Sequence, residues 1–581
     1  MDRTPCKPTI IVSNQPSKVN FYINSTCKRK MAKHSEGKGL LPMDAASPTS
    51  QLIQNIQSKT LPQSVPRFLD DRTRSHPDTI FLNFFDDGDT LSYQEFTRLT
   101  KDFAQGLHQA GICQGQHVAV MLPTSRYYPI TWIALSRLSA VTVPINVRYT
   151  EREIRFAVTD SDSEFLIIAR EFLESLPGLD LSDLIDPDRV IVLENSPDDD
   201  SGWHAVLNAG STSPVISDGS PSLETVMNIQ YTSGTSGLPK GAILDNRYWL
   251  TFSRNGAAQF LDQLERILVA QPFYYVDAQW LMLMGCWTGA TLFIAREMHS
   301  SKFLEWLRRY RIQYCNFPEV VSRAPATSAD FMEHLIAMSC YSHRPTNFPK
   351  YEKRFGGKAR QGFSMTEVGC ALSVPFDADH VTGSGTVGLP VAFRKVRICD
   401  KDGNTLEDNE VGEICIKGSG LFRGYYNNPD ATRSAFHPGG WFRTGDIGRR
   451  DENGWFWYLG RVKDMVRRSG ENISAVEVEQ VLRGVDCVIE AAVLPVPDEL
   501  RGEEVKAYLR RAPQFTDDLA IINAVVDYCE SRLAPFKIPR YFECIDEFPR
   551  TPSNKIKKSD LIKAKPDLRV GVWDRVEEKW L

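Results

Sequence analysis

Eleven residues near the middle of the chain constrain its fold most: Tyr231-Thr232-Ser233-Gly234-Thr235-Ser236-Gly237-Leu238-Pro239-Lys240-Gly241. Three glycines, four Ser/Thr hydroxyls, a proline and a lysine stand here between two apolar runs, 225–231 and 242–244. The first run reads as a strand. A strand that ends in such a loop releases its N–H groups from the ladder, and they need another partner. Glycine lets the backbone wrap closely around a phosphate, so successive N–H groups and hydroxyls form an anion cradle. Lys240 adds a mobile positive charge. This is not a Walker loop, because Gly241 follows Lys240 and no Ser or Thr stands there to hold magnesium. A Gly/Ser-rich surface turn is the plain alternative, and the stretch alone leaves both readings open.

The surroundings narrow the fold. At 581 residues the chain exceeds one ordinary core and fits about three to four units of roughly 150 residues. From residue 61 to Lys240, apolar runs at 118–122, 141–145 and 165–168 alternate with amphipathic stretches such as 128–138. That alternation predicts a parallel sheet covered by helices. Residues 195–223, rich in Ser, Asp, Gly and Pro, read as a loop. From 394 to 426 the texture changes to short strands at 396–399 and 412–418, with turns at Asp402-Gly403 and 451–454. These predict a small, distorted antiparallel β-barrel. Arg461-Val462-Lys463-Asp464 reads as an interdomain boundary. Beyond it come a helix at 474–482, opened by a capping box of Ser474 and Glu477, strands at 489–494 and 504–509, and a helix at 519–532. The expected organisation is a basic tail over 1–57, a large domain over 58–460 and a small α+β domain over 461–581.

Composition excludes several classes. A net charge of −5 and a pI near 6.1 give no reason to expect nucleic acid or an anionic membrane as partner. The longest near-apolar run, 280–295, is short of the ~20 residues of a membrane span and reads as a buried helix and strand. The 12 cysteines are scattered without a Cys-x-x-Cys, and the 10 histidines form no His-Glu-x-x-His, so neither structural zinc nor a disulfide framework is expected. Reduced thiols in the cytoplasm are the default. Residues 1–38 hold eight Lys/Arg against Asp2 and Glu36. A disordered tail, a start annotated too early (Met31 and Met43 are alternatives) and a mitochondrial transit peptide are the readings, in that order of preference. The chain ends Lys579-Trp580-Leu581, not the Ser-Lys-Leu peroxisomal address.

Three further motifs carry chemistry. Gly362-Phe363-Ser364-Met365-Thr366-Glu367 offers an aromatic for a base, a hydroxyl for phosphate and a carboxylate for a cation. In Trp441-Phe442-Arg443-Thr444-Gly445-Asp446, an acceptor-only carboxylate at a tight turn suits a pair of sugar hydroxyls. Pro549-Arg550-Thr551-Pro552-Ser553-Asn554-Lys555-Ile556 presents a lysine on a loop. Taken singly, each is more often a helix cap, a turn aspartate or a solvated lysine. In this order, together with the opening loop, they resemble the signatures of the adenylate-forming (AMP-binding) enzymes, and the resemblance covers roughly residues 60–565.

The resemblance implies that Thr232, Ser233, Gly234, Thr235, Ser236, Gly237 and Lys240 hold the ATP phosphates. It puts Phe363 on adenine, Thr366 on a phosphate oxygen and Glu367 on Mg²⁺. Asp446 would take the ribose, with Arg461 near ribose or α-phosphate. Lys555 would reach the substrate carboxylate and the α-phosphate, so the catalytic group is Lys555, Thr366 and Glu367. Lys463 matches the hinge of a mobile C-terminal lid, with 470–473 beside the thiol approach. The chain departs from the family pattern at three places. Asn554 replaces the usual Gly, and Asn tolerates left-handed backbone better than most. Tyr275 stands where a His is frequent, at the acyl/thiol gate, with a packed core aromatic as the plain alternative. Cys340-Tyr341-Ser342-His343 occupies the place of a Gly-Gly-Ala-Pro segment. With Asp277-Ala278-Gln279, this wording resembles the crotonobetaine/carnitine–CoA ligase branch. The implied activity joins a carboxylic acid, whether small and carnitine-like, a medium or long fatty acid or a polyketide acid, to CoA through an acyl-AMP, with ATP and Mg²⁺; the acyl pocket is expected between Phe273 and Phe363. Rival readings are an adenylating enzyme that loads a carrier protein in trans, a luciferase-like oxidation of the adenylate, and an inactive nucleotide binder.

Overall fold

The computed structural model describes residues 48–175, 182–193, 202–211, 221–232, 239–260, 264–341, 343–461, 465–468, 471–533, 535–551 and 554–581. The expectations for the tail before residue 48, for Ser233, Gly234, Thr235, Ser236 and Gly237, and for Lys463 and Gly470 lie outside these residues. The described residues belong to one unit, Pro42–Leu581.

Two sheets built largely of parallel strands carry the N-terminal part. In the first, the order is Val190–Leu193, Phe165–Ala169, His117–Met121, Val141–Pro144, Val226–Thr232 and Lys240–Asp245. All neighbours are parallel except the last pair, which is an antiparallel hairpin around the Gly/Ser-rich loop. The strands Phe165–Ala169 and Val141–Pro144 are buried throughout, as two helix-covered faces require. The second sheet runs Lys358–Arg360, Ala337–Ser339, Tyr314–Asn316, Arg266–Val269, Thr291–Ile294, Ile80–Phe84, Asp89–Ser92, with only the last pair antiparallel. The apolar run 280–295 resolves into the helix Val276–Thr288 and the strand Thr291–Ile294.

The barrel expectation becomes an antiparallel sheet: Gly362–Met365, Gly369–Ser373, Thr386–Pro390, Phe456–Arg461, Trp441–Arg450, Val411–Gly418 and Arg394–Cys399, with Phe436–His437 paired to Trp441–Arg450. Register shifts interrupt it, including one between Ile447 and Gly448. Such bulges bend a sheet sharply. A fourth sheet starts at Met465–Arg468 and Glu471–Ser474, continues through Gly502–Arg511 and Tyr541–Ile545, and carries its own apolar core from Val466 to Phe542.

Three readings of the sequence need correction. The stretch taken as loop contains the helix Trp203–Ser211. Its glycine conceals it: a Cβ on Gly210 would meet Asp102 O at 1.8 Å, and on the facing helix one on Gly106 would meet Val206 O at 1.8 Å. The glycines permit close crossing of this helix with Tyr93–Gln109, sealed by Phe103 stacked on Trp203 at 4.0 Å. Residues 48–57 are not tail, since the helix Pro48–Ser58 packs Ile56 with Ala258 and Ala392. Finally, only half of the capping box forms. Ser474 Oγ accepts from Glu477 N at 3.1 Å, whereas the Glu477 carboxylate accepts from Lys537 Nζ at 2.7 and 2.8 Å. The ion pair with a distant lysine wins over the local cap.

Candidate active site

The hairpin Val226–Thr232/Lys240–Asp245 fixes the base of the site. Thr232 pairs with Lys240 at its open end. Gly241 is needed for packing rather than for turning: a Cβ there would meet Ile229 Cγ2 at 2.6 Å. Outside the hairpin, the segment 423–426 adds itself to the edge of the second strand. Ile243 N donates to Gly424 O (3.0 Å), Arg423 N to Ile243 O (2.9 Å) and Tyr426 N to Gly241 O (2.8 Å). This register carries Tyr425 to Lys240, whose Nζ lies 4.9 Å from the Tyr425 ring centre. Tyr425 Oη in turn donates to Glu367 Oε1 at 2.9 Å.

Glu367 and Thr366 sit on the turn between Gly362–Met365 and Gly369–Ser373. Glu367 is 6% exposed, and its carbonyl accepts from Phe422 N at 2.8 Å. Burial pushes its carboxyl above the usual range; the Tyr425 hydroxyl and the cations of Arg461 and Lys240 pull the other way. A buried, singly hydrogen-bonded carboxylate facing two cations is a site that gains when a further cation enters. Strand alternation turns Phe363 inward and Ser364 outward. The Phe363 ring is 7% exposed, 6.1 Å from Tyr458.

Asp446 and Arg461 are cross-strand neighbours, with Arg461 Nε 3.2 Å from Asp446 Oδ1. The turn before Asp446 is pinned by Gly445, at φ +71°, whose N–H donates to Glu413 Oε1 at 2.9 Å. Lys555 comes from the C-terminal sheet's periphery. Its loop closes through Thr551 N to Lys555 O (2.8 Å) and Lys555 N to Thr551 Oγ1 (3.1 Å). Arg550 anchors it, donating to Asn554 O at 3.2 Å and to Glu490 Oε2 at 2.6 Å. Asn554 has φ +62°, the left-handed backbone for which Asn is an acceptable stand-in for Gly. Lys555 is exposed as a residue, while its ammonium is crowded enough by protein to be partly desolvated. Desolvation and the Arg461 cation lower its pKa, while Asp277 and Asp446 raise it.

Asp277 is the residue that sequence reasoning undervalued. It lies in the first turn of Val276–Thr288; burial raises its pKa and Lys555 lowers it. Lys555 therefore lies within electrostatic reach of Asp277, Asp446 and Arg461. Tyr275, the N-cap of that helix, accepts a hydrogen bond from Asn146 Nδ2 at 3.0 Å. Tyr341, 37% exposed, lies within electrostatic reach of Asp277. His343 turns away into the core, its Nε2 2.8 Å from Phe317 O. Phe273, expected on the acyl wall, is wholly buried against Tyr128, so the rings at the cleft are Tyr275 and Tyr341. Tyr425 also escaped the sequence reading, since no local signal places 425 beside 240 and 367.

The chain is similar to known proteins over most of its length. A family model described as AMP-binding enzyme matches residues 69–426, and one described as AMP-binding enzyme C-terminal domain matches 477–555. A sulfoacetate–CoA ligase of Cupriavidus necator is 29% identical over 507 residues, covering 84% of this chain and 96% of the relative. A crotonobetaine/carnitine–CoA ligase of Proteus mirabilis is 28% identical over 488 residues, covering 81% and 93%. Among solved structures, ATP-bound MatB from Rhodopseudomonas palustris superposes with a TM-score of 0.75 at 23% identity, over 88% of this chain and 98% of that one. The o-succinylbenzoate CoA synthetase of Bacillus subtilis with its acyl-adenylate intermediate gives 0.74 at 23%, over 87% and 99%. Among the described residues no helix is long and apolar enough to cross a membrane.

Proposed function

Because the chain belongs to the AMP-binding enzyme family, we propose that it is an ATP-dependent acid–thiol ligase that converts a carboxylic acid to its acyl-CoA. The observation that carries this reading is the convergence of Lys555 with Asp277, Asp446 and Arg461 from the N-terminal part. In the first half-reaction a substrate carboxylate oxygen attacks the α-phosphorus of ATP, and the bond to pyrophosphate breaks. Two anions must approach, and charge builds on the phosphate oxygens. A cation positioned between them lowers that barrier electrostatically; Lys555 is the group for it. Lys240 and the Gly/Ser loop grip the outer phosphates, Thr366 bonds a phosphate oxygen, and Asp446 with Arg461 holds the ribose. Phe363 contributes the adenine wall.

Glu367 fits a hard cation. Its carboxylate is an oxygen donor of the kind Mg²⁺ takes, and the Tyr425 hydroxyl engages only Oε1. When bound there, Mg²⁺ would neutralise triphosphate charge.

In the second half-reaction the CoA thiol adds to the acyl carbon, AMP leaves and the thiol proton is released. Tyr275 and Tyr341 border the acyl side. The chain between Arg461 and Met465, which includes Lys463, is the proposed hinge; turning there withdraws Lys555 and opens a thiol path. Hinges absorb such change at a few element-end residues.

The test is a panel of carboxylic acids with ATP and Mg²⁺, scored for acid-dependent pyrophosphate release and then for CoA consumption. Pyrophosphate release with stoichiometric thioester formation is expected for one class of acid. Release without CoA consumption would move the reading to a carrier-loading enzyme, and no release with any acid would sink it.

A further inference from the structure

Behind the Asp446 turn lies a side-chain cluster that the ligase reading does not use. Glu413 and Cys415 are two apart on the strand Val411–Gly418 and so share a face. His437 ends the strand Phe436–His437, which pairs with Trp441–Arg450, the strand that Val411–Gly418 also pairs with. All three are buried, and one ligand atom from each lies within 4.8 Å of the others. His437 is 8% exposed. Among the described residues its Nε2 has no hydrogen-bond partner. It lies 4.0 Å from Glu413 Oε2, beyond hydrogen-bond range. The opposite edge of the ring is backed by Gly403, where a Cβ would come within 2.8 Å of Cγ and Nδ1. A second sulfur adjoins: buried Cys399, on the neighbouring strand, shares a hydrogen bond with Cys415.

We propose that Glu413, Cys415 and His437 form a zinc site, with Cys399, whose sulfur touches Cys415 but lies outside the 4.8 Å cluster, turning in as fourth ligand. One nitrogen, one carboxylate oxygen and two sulfurs suit tetrahedral Zn²⁺, at about 2.0–2.3 Å from each ligand. Harder ions such as Mg²⁺ prefer oxygen alone. Burial raises the Cys415 thiol pKa, and a coordinated ion reverses that preference by deprotonating the sulfur outright. Arg443 Nε already lies 3.2 Å from Glu413 Oε2. The ion must share that oxygen or displace the guanidinium, which is 41% exposed and can turn to water. Because Glu413 Oε1 holds Gly445 N, the ion would brace the turn that presents Asp446. No spacing motif announces this site, since its ligands come from three strands.

The experiment uses the full-length protein stripped with chelator and titrated with Zn²⁺ alone and with Co²⁺ alone. The expected result is one tight equivalent of zinc, and a cobalt spectrum with tetrahedral bands and a thiolate charge-transfer band. Cys415→Ser should remove or halve that band, and His437→Gln should keep it while weakening zinc about tenfold or more. Cys113→Ser, at an exposed cysteine, should change neither. Failure to bind zinc stoichiometrically, an octahedral cobalt spectrum, or unaltered binding in both Cys415→Ser and His437→Gln would overturn the proposal. If either variant misfolds by circular dichroism, the cobalt spectrum of the unaltered protein decides.

Discussion

Glu367 and Lys555 are opposite charges facing one cleft, and both are shifted toward neutrality by desolvation. They are held differently. Glu367 is fixed in the body of the N-terminal part, buried, hydrogen-bonded by Tyr425 and backed by a core side chain at Val368. Lys555 is carried on a solvent-open loop tied down by the Arg550 anchor and the Thr551 closure. One charge is built in and the other is delivered. A cation site must be preorganised before nucleotide arrives, whereas a group needed for one of two half-reactions must be able to leave.

The sharpest way to break this comparison is Lys555→Ala. Acid-dependent pyrophosphate release should fall by roughly 10²–10³-fold, the cost of losing one preorganised electrostatic group. The thermal midpoint should stay unchanged, because the side chain packs against nothing it supports. A clear fall in midpoint would mean that Lys555 is structural. Next in size is the built side. Tyr425→Phe removes a hydrogen bond to a charged acceptor, about 1.5–3 kcal/mol. Its expected signature is a raised Mg²⁺ requirement, about tenfold or more in concentration, with Lys555-dependent steps intact at saturating metal.

The pH profile separates the two further. The Glu367 carboxylate is lost as pH falls through a value above its ordinary 4.5, so the acid limb of the adenylation rate should lie above that value. Tyr425→Phe should move it higher still, since the hydroxyl favours the charged form. The Lys555 ammonium is lost as pH rises through a value below its ordinary 10.5. Asp277→Asn removes a carboxylate that raises this pKa, so the alkaline limb should shift to lower pH. A shift upward would show that Asp277 does not face Lys555. The smallest effect concerns the delivery loop. Asn554→Gly should leave activity within about twofold, whereas Asn554→Ala should weaken it modestly, because left-handed backbone costs a residue with a Cβ about 1–2 kcal/mol. Equal behaviour of the two variants in the pyrophosphate assay would remove the backbone argument.

Much of the fold was legible because its signals are local. The runs at 118–122, 141–145 and 165–168 are apolar throughout, and they became the buried strands His117–Met121, Val141–Pro144 and Phe165–Ala169. The helix Trp203–Ser211 was not legible, because the glycine that weakens its helical signal is there for close packing against Asp102. The same holds at Ser474, where the capping box reads correctly as sequence but Lys537 takes its acid.

The chemical inventory of this protein, a Gly/Ser-rich loop, a turn acid at Glu367, an acid after a tight glycine turn at Asp446 and a loop lysine at Lys555, was set by the sequence alone, since each motif is a few adjacent residues with their own turn chemistry. Which of these groups meet was decided only by tertiary structure. Tyr425 reaches Glu367 and Lys240 because an edge segment pairs with the phosphate-loop hairpin, and Asp277 meets Lys555 because a helix of one part opens beneath a loop of the other. Charge and burial at those meetings depend on residues from 58 to 278 positions apart, and no short window of sequence contains both partners.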